Sequence, residues 1–85
     1  MTKKKKAYIL TKLMDLSELL CTNNEYKFYW YVDPLQIKIK STSDSTIDIT
    51  HHIEFINEIM ILIHNNTSLS SSMITRLQNL HEEVI

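Results

Sequence analysis

The chain contains no glycine in 85 residues and a single proline, Pro34. Glycine is the residue that takes left-handed backbone angles at no steric cost, so every chain reversal here falls to Asn, Asp, Ser or Pro. Stretches rich in such residues include "TNNE" at 22–25, "DPLQ" at 33–36, "STSDS" at 41–45 and "HNNTS" at 64–68. The same absence excludes chemistry. A P-loop, a dinucleotide-binding turn and a glycine-lined oxyanion turn all need the missing residue.

Between these punctuation points the apolar residues recur with readable periods. Ile9, Leu13, Leu16 and Leu20 are spaced 4, 3 and 4, which predicts an amphipathic helix over 4–21, its stripe widened by Leu10 and Met14. Asn23 or Asn24 then stands in for the C-terminal glycine. From 26 to 33 the pattern alternates: Tyr26, Phe28, Trp30 and Val32 on one side, Lys27, Tyr29, Tyr31 and Asp33 on the other. With Pro34 in a tight turn, Val32 faces Ile37 and Trp30 faces Ile39 across a hairpin. "TIDIT" at 46–50 alternates again and reads as a third strand.

Thr50 is placed to cap a helix over 51–65 in which Ile53, Phe55, Ile56, Ile59, Met60, Ile61, Leu62 and Ile63 cover more than half the circumference. A last helix over 69–84 carries Met73, Leu77, Leu80 and Val84 at spacings of 4, 3 and 4, with Ser68 or Ser70 as cap. The expected fold is therefore α+β. One domain over 1–85, with residues 1–6 frayed, runs helix, three-stranded antiparallel β-meander, helix, helix, and packs its helices on one sheet face.

Such a sheet leaves its other face to a partner. Lys27, Tyr29, Tyr31, Gln36, Lys38 and Lys40 are its candidate binding residues. Tyrosine and lysine together suit a protein interface, and they also suit single-stranded nucleic acid, whose bases stack on aromatics. They equally suit a bare pleated surface on which tyrosines rest against lysine stems. Between the partners, protein is favoured over nucleic acid because the chain is not basic overall, with net charge −1. That figure hides an asymmetry: eight lysines against four carboxylates give residues 1–40 a charge of +4, and one arginine against six carboxylates gives residues 41–85 a charge of −5. Lys3–Lys6 at a helix start and Glu82 and Glu83 at a helix end both oppose the helix dipole, a conflict relieved if first and last helices run antiparallel. The apolar surplus of the second helix predicts a homodimer interface at Phe55, Ile59 and Leu62.

Catalytic and metal patterns are not evident. His51 and His52 are adjacent and diverge by about 100° on a helix, and no H-x-x-x-H or C-x-x-C spacing occurs. Cys21 has no cysteine to pair with and reads as a small packing residue. No nucleophile–base pattern accompanies the serines. Neither an enzyme, a cofactor nor a metal is expected, and with no apolar leader or span the cytoplasm is the expected compartment. In size and expected element order, not in residues, the chain resembles small phage-encoded inhibitors such as the anti-CRISPR proteins that occupy the nucleic-acid channel of Cas9. The resemblance implies a phage- or mobile-element-encoded inhibitor or regulator of a host protein. A small nucleic-acid-binding regulator using the N-terminal lysines and a structural homo-oligomer are the alternatives.

Overall fold

The computed structural model describes residues 3–41 and 49–85, and among them there is no strand. The elements are α1 (Lys3–Thr22), α2 (Tyr26–Ser41), a short 3-10 turn (Thr50–His52), α3 (Ile53–His64) and α4 (Ser71–Val84). The protein is all-α, and the α+β expectation with its β-meander is overturned. The two strands expected over 26–41 are one continuous helix. Most of the expected third strand, 46–48, and most of the polar loop at 41–45 lie outside the described residues. Ile49 is buried and Thr50 opens the 3-10 turn. The likeness to small phage inhibitors rested on the expected element order and falls with it.

Two periodicities compete in residues 26–41, and burial decides between them. Alternation runs from Tyr26 to Val32, favoured by an aromatic and β-branched run, and resumes from Leu35 to Lys40, but it breaks at Asp33 and Pro34. A second series, Phe28, Val32, Leu35 and Ile39, is spaced 4, 3 and 4 and continues straight through Pro34; all four are buried. Only this longer series gives α1 a matching stripe to pack against, and tertiary burial outweighs local propensity. The helix retains Pro34 in its interior, removing the donor that the Trp30 carbonyl would accept, a defect of roughly 3 kcal/mol in an ordinary helix. It falls near the outward side of α2, where water can serve that carbonyl.

The other helices follow their sequence stripes. Ile9, Leu13, Leu16 and Leu20 of α1, Phe55, Ile56, Ile59 and Ile63 of α3, and Leu77 and Leu80 of α4 form one core with the α2 stripe. α1 packs on α2 and on α3, and α2 packs in turn on α4. Contacts between Ser17 and Asp33 make α1 and α2 antiparallel. His52 with Glu83, and Glu58 with Arg76 at 3.8 Å, make α3 and α4 antiparallel too. Arg76 also lies 4.0 Å from the Phe55 ring centre, closing the α3–α4 seam with a cation–π contact.

Both helix hairpins are closed by the same device. Asn24 (φ 59°) and Asn66 (φ 54°) take the left-handed angle that glycine would otherwise supply. Around them the amides of Glu25 and Thr67 donate to the carbonyls of Leu20 and Leu62 at 2.8 and 2.9 Å, and those of Asn24 and Asn66 donate to Cys21 and Ile63. This is the Schellman arrangement, with asparagine at its critical position. Thr50 is not the N-cap of α3: His52 holds that position, without a side-chain capping hydrogen bond. Ser70 holds that of α4 with extended backbone, also without one.

Candidate functional site

The all-helical fold redistributes the residues expected on an open sheet. At about 100° per residue, Lys27, Tyr31 and Lys38 fall on the flank of α2 nearer α4, while Tyr29, Gln36 and Lys40 fall on the flank nearer α1. The six do not share a face. Tyr31 is half-buried, accepts a hydrogen bond from Gln78 Nε2 at 2.9 Å, and meets the His81 ring edge-on at 5.6 Å. It is a packing residue of the α2–α4 seam. On the opposite flank, Asp33 Oδ1 accepts from Ser17 Oγ at 3.2 Å and from Gln36 Nε2 at 3.3 Å. The Asp33 carboxylate also pushes the Tyr29 phenol above its ordinary pKa of 10.0; burial, the nearby Cys21 and a hydrogen bond to Asp33 act in the same direction.

Between the two flanks stands a crest the alternation pattern had turned inward. Trp30 is 68% exposed, Ile37 54% and Tyr26 50%, and the three lie within roughly 40° of one another around α2. Trp30 and Ile37 were expected inside the core, and both are outside. The reason is the spacing: 26, 30 and 37 are offset by 4 and 7, one helical line, while the core stripe occupies the opposite line. The signal that would have found them is the 4, 3, 4 series itself. Lys27, Trp30 and Tyr31 line one wall of an open groove of about 430 Å³ whose other wall is Ile74 and Gln78 of α4. Tyr29 meets Trp30 edge-on at 5.7 Å, which restrains the indole without burying it. The crest is thus a preorganised apolar ridge with lysines on both sides.

The proposed dimer residues are placed otherwise. Phe55 and Ile59 are buried in the core of the single chain, and Leu62 is half-buried. The exposed aliphatic on α3 is Ile61.

A second cluster arises where α3 begins and α4 ends. His51 and His52 were expected to diverge, yet their ring centres lie 4.1 Å apart. Glu83 offers one carboxylate oxygen to each, at 3.3 Å from His51 Nε2 and 2.9 Å from His52 Nε2. The hydrogen bond from His52 holds the Glu83 carboxyl below its ordinary pKa, against a smaller opposing effect of burial and with help from the charges of both histidines.

No helix among the described residues is long and apolar enough to cross a membrane. No family model, no curated protein and no solved structure matches the chain.

Proposed function

We propose that this is a non-enzymatic protein-interaction domain that docks the α2 crest into an apolar groove with acidic rims on another protein, and acts there as a regulator or inhibitor. The observation that carries the reading is Trp30. A tryptophan left 68% exposed on a rigid helix, in line with exposed Ile37 and Tyr26, is the residue type that anchors protein interfaces. Lys27, Lys38 and Lys40 beside it specify the charge of the partner. They also argue against a second copy of the chain on this face, because two crests would bring lysine against lysine.

The same indole and lysines would serve single-stranded nucleic acid, so the test separates the two. Immobilised protein is used to capture partners from cell lysate, with and without nuclease, beside Trp30→Ser and Lys27→Glu/Lys38→Glu variants of unchanged helicity. The reading expects a nuclease-resistant partner lost with either variant, and a blue shift of Trp30 emission in the purified complex. Capture that survives Trp30→Ser, or that disappears with nuclease, overturns it.

A further inference from the structure

We propose that His51, His52 and Glu83 form a binding site for a zinc-class divalent cation, joining the entrance of α3 to the last turn of α4. The donor set is two imidazole nitrogens and one carboxylate, the combination zinc accepts in three-ligand sites that keep a fourth position open. Hard ions such as magnesium and calcium prefer oxygen alone, so the two imidazoles select against them. The spacing fits as well. Two donors bound at about 2.1 Å around a tetrahedral ion stand roughly 3.4 Å apart. Here the nitrogen-to-oxygen separations are 2.9 and 3.3 Å, and one donor atom from each of the three residues lies within 4.8 Å of the others. Glu83 meets His51 through Oε1 and His52 through Oε2, so one ion lying between the two rings and the carboxylate would replace both contacts, each imidazole offering an unprotonated Nε2 and keeping its hydrogen on Nδ1.

Two further features bear on the site. Glu82 and Glu83 sit in the final turn of α4, where the negative end of the helix disfavours them, and a cation there offsets that conflict. The N-terminal end of α3 opposes a cation, so the negative charge of Glu83 is needed as well as its oxygen. His51 is exposed and His52 only partly buried, so the ion can enter without opening the fold.

Because Glu83 lies 31 residues from His52, the ion would cross-link distant parts of the chain. It would stabilise the folded state in proportion to the logarithm of its concentration once above its dissociation constant. The test titrates zinc chloride into the chelator-stripped protein by calorimetry and follows the melting temperature. The expected result is one ion per chain, a rise in melting temperature reversed by EDTA, and loss of both effects in His51→Ala, His52→Ala and Glu83→Gln. His64→Gln, His81→Gln and Cys21→Ser should leave both intact. His51→Ala removes an exposed ring and Glu83→Gln is isosteric, so these two variants keep the fold; circular dichroism verifies it. No one-to-one binding to the wild-type protein overturns the proposal, as does binding undiminished in the first three variants or lost in any of the second three.

Discussion

Replacing Asn24 and Asn66 with glycine should make this glycine-free protein more stable, and the size of the gain follows from the backbone. Both residues hold φ near +55°, at 59° and 54°. The left-handed region costs an ordinary L-residue roughly 1–2 kcal/mol; asparagine reduces that penalty and glycine removes it. Glycine returns part of the gain as unfolded-state entropy, so Asn66→Gly is worth about 0.5–1 kcal/mol, while Asn24→Gly also loses the hydrogen bond that Asn24 Oδ1 accepts from the Tyr26 hydroxyl at 2.9 Å and comes out near neutral. The two turns close different hairpins and share no partner, so the double variant should gain about 0.5–1 kcal/mol, or roughly 3–6 °C in Tm for a domain of this length. Alanine at either position should lose about 1 kcal/mol. The neighbouring asparagines provide the control. Asn65 has φ −89°, and Asn23 donates from Nδ2 to the Leu19 carbonyl at 2.8 Å, so glycine at 65 gains nothing and at 23 loses about 0.5–1 kcal/mol. Urea melts followed by circular dichroism supply the free energies. If glycine at 24 and 66 destabilises by the ~1 kcal/mol expected for a helix interior, the helices do not end there and the reasoning fails.

Other substitutions test the packing and the electrostatics. Trp30→Ala, on the exposed crest, should change stability by under about 1 kcal/mol, whereas Leu35→Ala, fully buried five residues on, should cost about 2–5 kcal/mol; the reverse ranking in urea melts would restore a hairpin. Pro34→Ala should stabilise α2 by about 1–2 kcal/mol, since a recovered helix bond outweighs the lost chain stiffness; calorimetric scans showing a loss would contradict a helix through residue 34. Ile59→Glu should unfold the chain at every concentration instead of dissociating a dimer, because Ile59 is inside the single-chain core; light scattering showing a folded Ile59→Glu protein would refute this. Tyr29 has a raised folded pKa, so its contribution to stability is complete below the ordinary value of 10.0 and is lost as pH rises through the folded one. Absorbance titration should show a late-ionising tyrosine signal that is absent in Tyr29→Phe and moved back towards normal by Asp33→Asn.

Three of the four helices were legible in the sequence: α1 and α4 each carry one stripe at spacings of 4, 3 and 4, and α3 is an apolar run of helical length between polar stretches. The asparagines of the turns were legible too, since no glycine competed for the role. α2 was misread because its first seven residues satisfy both periods at once. Phe28, Val32 and Ile39 belong to the inner face in either reading; Leu35, a turn residue in one and a core residue in the other, is what completes the helical series. Placing Pro34 in a tight turn assigned Leu35 to that turn and made Ile37 and Ile39 read as a partner strand. That error carried Trp30 and Ile37 inward and assigned the binding face to lysines and tyrosines that in fact lie on opposite flanks. The His51–His52 pair was set aside on backbone angles and on the absence of a local ligand spacing. Imidazole arms are long enough to meet over a third residue, and nothing local announces that Glu83 is that residue.

The charge asymmetry of the chain becomes a spatial one once the helices pair. The α1–α2 hairpin, residues 3–41 with the turn included, carries eight lysines against four carboxylates, while α3 and α4 carry Glu54, Glu58, Glu82 and Glu83 against Arg76. A net +4 hairpin therefore faces a net −3 hairpin, and the crest belongs to the positive one. In the field of an acidic partner, the molecule would turn before it touches, presenting α2 first and holding α3 and α4 away. Such orientation acts on the rate of encounter more than on the lifetime of the complex. Added salt should slow arrival and leave departure nearly unchanged, so a small domain with a short ridge of three apolar residues could find its target quickly at the ionic strength where the lysines are least screened.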